Sequence, residues 1–206
     1  QKNYGILNLK KYRTKDLNNV FLECYKNGIK NFDLAPSYGN AEKNFGKIFN
    51  KKKIIIDTKI SKITTRKNAQ YRLINSFIKS LKKLDKKRVD TLYVHDFKNF
   101  LKFKKEYNFF FKFLKKSKKI NNIGFSLYEK KELHQLLKIC KPDVIQVPLN
   151  LFNQSFNTPE VFNLKKKFNF KIYARSLFLQ GILLASKDEI PDKFKKVFKK
   201  YENFLL

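Results

Sequence analysis

Six short apolar runs, each followed by a segment of helical periodicity, constrain the fold of this 206-residue chain more than any other feature. The runs span residues 29–34, 53–59, 90–96, 121–127, 143–147 and 171–178. Between them, apolar residues recur at intervals of three and four, the pattern of helices with one buried face. Strands that alternate with helices pair in parallel and are covered by those helices. The pattern therefore predicts a single α/β domain.

The segment from Phe100 to Leu114 carries a dense set of aromatic residues, at 100, 103, 107, 110 and 111, interleaved with lysines. Aromatic and basic residues together could form a platform for single-stranded nucleic acid. Because the aromatic residues share one helical face, the spacing favours one helix packed on the core.

Three successive predicted strands end in side chains that could take part in catalysis. Asp33 closes the first, with Tyr38 in the loop beyond it, Lys59 closes the second and His95 the third. In an α/β barrel the carboxyl ends of all strands open onto one face, where the chemistry takes place. Taken singly, Asp33 and Lys59 could form a structural ion pair, Lys59 could form a Schiff base, and His95 could be a structural histidine.

The order of these residues, with D-x-A-x-x-Y-G around the first two, resembles the catalytic tetrad of the aldo-keto reductases. Further segments are similar to that family in the same order. They are Ser80–Leu84 leading into Arg88–His95, Ile123–Ser126, Gln146 within Asp143–Val147, and Ser176–Gly181. The matches extend from about Tyr4 to about Leu183. The resemblance implies a (β/α)8 TIM-barrel fold, incomplete here, with about strands two to seven and their helices.

The resemblance also implies an activity, the transfer of a hydride between NADP(H) and an aldehyde or ketone. In this family the tyrosine is the general acid and base, which assigns that role to Tyr38. Lys59 and Asp33 would tune its acidity, the lysine pulling the pKa of Tyr38 down toward working pH. His95 would orient the carbonyl.

The cofactor residues implied by the resemblance lie on the later strands. Ser126 and Gln146 would contact the nicotinamide amide, and Ser176 and Gln180 the cofactor near its pyrophosphate. No G-x-G-x-x-G fingerprint is present, but this family lays its cofactor across the barrel mouth. NADP(H) is expected over NAD(H) from the resemblance alone, and no metal site is expected.

Two positions depart from the family pattern. Leu127 stands where many members have Asn, which removes one amide partner of the nicotinamide. Arg175 stands where some members have a tyrosine that stacks on the nicotinamide. A guanidinium can also lie flat on a ring. The basic loop that grips the adenosine phosphate in the family would follow Leu206.

A closed barrel of this type typically has about 250 residues. Residues 1–206 are therefore predicted to be one barrel domain truncated at both ends, which on its own reduces nothing at a useful rate. Two other functions remain open. One is a regulatory barrel of the same family that binds cofactor without catalysis, and the other is a barrel lyase that uses Lys59 as a Schiff base.

The formal charge of +30 suggests nucleic acid or an anionic membrane as a partner. Most of the basic residues are lysines, spread along the whole chain, and A/T-rich codons explain this lysine-rich composition more simply. We therefore predict a small-molecule carbonyl substrate as the partner, with no specific nucleic acid and no membrane. Cys24 and Cys140 are predicted to be free thiols in the cytoplasm. The oligomeric state cannot be read from the sequence.

Overall fold

The computed structural model describes residues 14–201, which form a sheet of parallel strands covered by helices. The strands are β1 Asn31–Asp33, β2 Ile55–Ile60, β3 Val89–Val94, β4 Ile120–Ser126, β5 Val144–Pro148 and β6 Lys171–Arg175. The helices are α1 Thr14–Lys26, α2 Ala41–Phe49, α3 Ala69–Leu84, α4 Phe97–Lys102, α5 Lys104–Lys116, α6 Lys130–Leu137, α7 Pro159–Phe168 and α8 Asp192–Tyr201. The segment expected to match the family from Tyr4 lies partly outside the described residues.

The six strands follow one another in the sheet in chain order, and every neighbouring pair is parallel. One hydrogen bond shows that the sheet curls: Gln146 Nε2 of β5 donates to Asp33 Oδ2 of β1 at 3.1 Å. Four interstrand spacings in a flat sheet would separate these strands by about 19 Å, too far for the two side chains to meet. The strands therefore form the curled half-barrel expected of an incomplete TIM barrel.

The two faces of the curled sheet differ sharply in polarity. Phe32, Ile56 and Leu92 point outward, where they pack with the helices in the main hydrophobic core. Side chains alternate between the two faces of a strand, and those on the inner face are polar on most strands. Asp57 and Lys59 on β2 are examples. The helices and the sheet thus make the core, and the concave inner face carries the polar groups.

Helix α2 is fixed to its neighbours by a buried carboxylate and a glycine. Glu42, only 1% exposed, accepts hydrogen bonds from the Thr58 hydroxyl at 2.9 Å and the Ser80 hydroxyl at 3.3 Å. A Cβ at Gly46 would lie 2.4 Å from the carbonyl oxygen of Lys83, so α2 approaches α3 more closely than any other residue would allow. These contacts hold the loop that carries Tyr38 against β2 and α3.

The single aromatic helix expected around Phe100 to Leu114 is instead two helices that meet at Phe103. The backbone of Phe103 leaves the helical region, with φ −122° and ψ 36°, and Asp96 caps the first helix by accepting from Asn99 N at 2.9 Å. The aromatic face still packs into the core as predicted. The last strand also ends earlier than expected, at Arg175, because Ser176 takes φ 58° and turns the chain.

Candidate active site

Asp33, Lys59 and Gln146 form one hydrogen-bonded group at the inner face of the sheet. Lys59 Nζ donates to both carboxylate oxygens of Asp33 at 2.5 Å and lies 3.4 Å from the carbonyl oxygen of Leu34. The Lys59 side chain is 3% exposed and that of Asp33 is 35% exposed. An ammonium buried this deeply needs a counter-ion, and Asp33 supplies it while keeping one side open to solvent.

Tyr38 lies in the loop between β1 and α2 and is 43% exposed. Its ring centroid is 5.1 Å from Lys59 Nζ. Burial, together with the charge of Asp33, raises the pKa of Tyr38, and Arg175 opposes this. The direction is opposite to the one expected from a neighbouring lysine. The reason is that burial of the phenol, which is the larger effect, and the charge of the Asp33 carboxylate both disfavour the phenolate.

His95 follows β3 and is partly buried. Burial and the positive charge of Lys59 lower the pKa of His95, so the imidazole is neutral near pH 7 and can donate one N–H to an oxygen. His95 and Lys59 both line an open cavity of about 460 Å³. The structure thus brings the four tetrad candidates to one mouth.

Two of the four predicted cofactor residues also lie there. Ser126 of β4 and Gln146 of β5 are register partners, and both are buried. Gln146 Oε1 is buried without a hydrogen-bond partner, and the Ser126 hydroxyl has none among the residues that the structure describes. A buried acceptor beside a hydroxyl matches the donors and acceptor of a carboxamide, so this pair fits the nicotinamide amide.

The other two predicted cofactor residues, Ser176 and Gln180, lie in the loop after β6. Both have left-handed backbone, with φ 58° at each, and Gln180 is exposed. Asn150 Nδ2 donates to the Ser176 carbonyl oxygen at 3.2 Å and fixes the start of the loop. Neither side chain contacts the Asp33–Lys59 pair, so the loop forms a separate part of the mouth.

Sequence reasoning missed two groups beside the tetrad. Tyr128, just after β4, lines the same cavity as Lys59 and its ring lies 4.2 Å from the Arg175 guanidinium carbon. Tyr93 lies fully buried below Lys59, with its ring against Gly124, where an added Cβ would come within 2.3 Å. The alternation of side chains along β3 could have placed Tyr93 on the inner face with His95.

Comparison with known proteins identifies the family of the chain. The sequence model of the Aldo/keto reductase family matches residues 4–204. The chain belongs to this family. Its members are oxidoreductases that use nicotinamide cofactors and act on small-molecule carbonyl substrates. No curated protein matches the sequence significantly.

Solved structures of family members share the fold. An aldo-keto reductase from Bacillus halodurans in its holo form has a TM-score of 0.75 and 17% identity, over 97% of this chain and 76% of its own. The glycerol dehydrogenase of Gluconobacter oxydans has a TM-score of 0.68 and 21% identity, over 94% and 71%. An aldo/keto reductase from Brucella melitensis has a TM-score of 0.65 and 23% identity, over 97% and 73%.

Among residues 14–201, none of the helices combines the length and the apolar character that a membrane span requires. The same residues contain no cluster of three or more His, Cys, Asp or Glu side chains placed to bind a metal ion.

Proposed function

We propose that this aldo/keto reductase reduces an aldehyde or ketone with NADP(H), and that Tyr38 is its general acid and base. The observation that carries the proposal is the convergence of Tyr38, His95 and the Asp33–Lys59 pair at one mouth. Beside them, Ser126 and Gln146 offer a hydroxyl and an unpaired acceptor for the nicotinamide amide. The family gives the coarse chemistry, and the placement of these residues supports the roles proposed for them.

When bound, NADP(H) supplies the hydride that reaches the carbonyl carbon. The Tyr38 hydroxyl then donates its proton to the carbonyl oxygen, which gives the alcohol and leaves a phenolate. Because the pKa of Tyr38 is raised, the phenol holds its proton near pH 7 and is present in its acid form. The neutral His95 donates a hydrogen bond to the same oxygen and orients it. In the reverse direction the phenolate accepts the proton.

In this proposal Lys59, held in position by Asp33, stabilises the charge that forms on Tyr38. The ammonium lies 5.1 Å from the Tyr38 ring and is held by two carboxylate oxygens. When the phenol loses its proton, the ammonium is the buried cation beside it. The same clamp argues against a Schiff-base lyase, since an ammonium bound to two carboxylate oxygens is a poor nucleophile.

The choice of NADP(H) over NAD(H) rests on the family resemblance, and NAD(H) remains an alternative. A cytoplasmic location rests on cysteine usage, and Cys24 and Cys140 are both free. The absence of a specific nucleic-acid partner rests on the lysine-rich composition and is likewise a prediction.

The test of the proposal is Tyr38→Phe in the full-length product of the reading frame that encodes this chain. With p-nitrobenzaldehyde and NADPH, followed by NADPH absorbance, we expect kcat to fall by about 10²- to 10⁴-fold while NADPH affinity stays the same. The matched control is Tyr71→Phe, which alters an exposed tyrosine on α3 and should change neither value. Unchanged turnover in Tyr38→Phe would refute the role of the phenol.

Two other outcomes would favour the alternatives. NADPH binding to the wild-type protein, with no turnover of any carbonyl compound tested, would indicate the regulatory barrel. Trapping of a substrate on Lys59 by borohydride would indicate the lyase. Where the reading frame extends beyond residues 1–206, we expect the 206-residue chain to reduce p-nitrobenzaldehyde at least about a hundredfold more slowly than the full-length product. The reason is that a closed barrel has no unpaired strand edges, whereas the half-barrel does.

A further inference from the structure

Helices α3 and α5 pack side by side on the outside of the sheet, and an apolar groove lies between them. The buried rings of Phe77 and Phe110 meet edge to face, with centroids 6.3 Å apart, and join the two helices. The groove has a volume of about 600 Å³. Ile78 of α3 and Phe113 of α5 line it, and both are exposed. Large apolar side chains that line one exposed groove mark a site of interaction.

The walls of the groove have the spacing of helix ridges. Ile74 and Ile78 lie about one turn apart on α3. Phe109 and Phe113 have the same spacing on α5, and both are exposed. Ridges of this kind interdigitate with the side chains of a further helix laid along the channel between them. The shape of the groove is therefore that of a docking site for an amphipathic helix.

The rim of the groove is positively charged. It contains lysines at positions 82, 86, 87 and 119 and a single carboxylate at position 85. The Lys86 ammonium is used within the molecule, since it donates to two backbone carbonyl oxygens at the end of α2, both at 2.8 Å. Lys82 and Lys87 have no carboxylate within ion-pair distance among residues 14–201. Two ammonium groups thus lie beside the groove without a counter-ion.

The groove lies at the end of the sheet where the strands begin, opposite the mouth, and the loops at that end are basic. Loops that lead from a helix into the next strand carry basic residues at 30, 51, 52, 53, 86, 87, 88, 118, 119, 138 and 141, and acidic residues only at 85 and 143. Segments that follow the strands carry basic residues at 62, 66, 67 and 187 and acidic residues at 96, 129, 188 and 189. The helix dipole favours cations in the last turn of a helix, but the first set lies beyond the helix ends. The positive charge is therefore concentrated at the end of the half-barrel that holds the groove.

The apolar walls and the basic rim together decide which occupant fits. A second copy of this chain would bring the same lysines to the groove and be repelled. Nucleic acid suits the lysines, but its phosphates gain nothing from the aliphatic walls that Ile74, Ile78 and Leu81 form. A lipid surface would cover the rim and leave the concave floor unfilled. An acidic amphipathic helix satisfies both the walls and the rim.

We propose that the groove between α3 and α5 docks an acidic amphipathic helix of a partner protein. The apolar stripe of that helix lies between Ile78 and Phe113, and its carboxylates pair with Lys82 and Lys87. Because the groove lies at the end of the sheet opposite Tyr38, the docked partner leaves the mouth open. This inference does not depend on the proposed function.

Fluorescence anisotropy with designed peptides tests the proposal on the full-length product of the reading frame. The probe is a fluorescein-labelled helix of about five turns, with leucines along one face and glutamates on the other. A peptide of the same composition, with its leucines distributed around the helix, is the comparison. At about 0.15 M salt we expect the amphipathic peptide to bind about tenfold or more tightly, because only its leucines can enter the groove together. Equal affinity for the two peptides would overturn the proposal.

A matched pair of substitutions locates the binding. Phe113 lines the groove and Phe162 lies on α7, and each is 45% exposed. Phe113→Glu should weaken binding of the amphipathic peptide about tenfold or more, whereas Phe162→Glu, with the same change in charge, should leave it within about twofold. Ile78→Glu, on the opposite wall, repeats the test where circular dichroism shows that Phe113→Glu is unfolded. Wild-type affinity in a folded groove variant would refute the site.

The role of the lysines is tested through the charge of the peptide. Replacing its glutamates by glutamines should weaken binding by about threefold or more. The double variant Lys82→Ala with Lys87→Ala should lose this difference. The control, Lys165→Ala with Lys166→Ala on α7, removes the same charge and should retain it. If the two double variants behave alike, the general charge of the protein holds the peptide and the inference fails.

Three further measurements would assign the groove to another occupant. A dimer in sedimentation velocity that Phe113→Glu dissociates would assign it to a second copy. Cosedimentation with vesicles that contain about 30% phosphatidylserine, lost in Phe113→Glu, would assign it to a membrane. Binding of an oligouridylate, lost in the same variant, would assign it to nucleic acid. Each of these outcomes overturns the proposal, whereas a monomer that binds the amphipathic peptide through Phe113 and neither of the other ligands supports it.

Discussion

The pKa of Asp57 in the folded protein is raised to about 7, and this makes the stability depend on pH in a direction that one substitution can reveal. The carboxyl is 1% exposed on the inner face of β2, and Oδ1 accepts a hydrogen bond from Thr91 N at 3.1 Å. Burial, with the charges of Asp90 and Asp33, raises the pKa of Asp57 to about 7 from the ordinary value of 3.8. Between these two pH values the folded state holds a proton that the unfolded state has lost.

The direction in which the free energy of unfolding changes with pH follows from this difference in bound protons between the folded and unfolded states. Where the folded state binds more protons than the unfolded state, the free energy of unfolding falls as pH rises. The stabilisation is fully present below pH 3.8 and is lost as pH rises to about 7. The separation of the two pKa values corresponds to about 4 kcal/mol, as an order of magnitude. Asp57→Asn keeps the acceptor oxygen and does not titrate, so it should remove this loss.

Urea unfolding followed by circular dichroism would measure the difference between Asp57→Asn and the wild-type protein. We expect that difference to be small at about pH 4 and to favour the variant by up to about 4 kcal/mol at about pH 8. Asp85→Asn, which removes an exposed carboxylate after α3, is the matched control and should give a difference independent of pH. A flat pH dependence for Asp57→Asn would show that Asp57 titrates alike in both states and would refute the reasoning.

Two further substitutions test the scaffold of the site. Glu42→Ala should lower the free energy of unfolding by about 1–3 kcal/mol, because it leaves two buried hydroxyl donors without their acceptor, and urea unfolding would show it. Gly124→Ala places a Cβ 2.3 Å from the Tyr93 ring and should destabilise the protein by about 1–3 kcal/mol. The double variant with Tyr93→Leu should recover part of that loss, and strictly additive effects would contradict the contact.

Much of the candidate site could be predicted from the sequence because consecutive parallel strands end on the same face. Asp33 closes β1 and the run that contains Lys59 forms β2, so the order of the chain alone places both side chains at one end of the sheet. The ion pair between them follows from their burial, since a lysine at the end of an apolar strand needs a carboxylate nearby. The local periodicity of the sequence is therefore enough to predict that these two side chains lie close together.

The acidity of Tyr38 could not be predicted in this way. The pKa of Tyr38 is raised first by burial of the side chain and then by the charge of Asp33, and both effects depend on how the loop after β1 packs in three dimensions. The contact between Arg175 and Tyr128, with the guanidinium carbon 4.2 Å from the ring centroid, is equally invisible in the sequence, because β4 and β6 are not neighbours in the sheet.

Two carboxylates of the inner face, Asp33 and Asp57, lie near a single ammonium, and each is stabilised differently. Asp33 accepts hydrogen bonds from the Lys59 ammonium. Asp57, two residues before Lys59 on the same face, has its pKa raised to about 7 and holds its proton up to near that pH. If Asp57 were ionised, its charge would compete with Asp33 for the one ammonium and draw Lys59 away from Tyr38. The geometry proposed for catalysis therefore depends on the proton of Asp57, and Asp57→Asn should preserve it at alkaline pH.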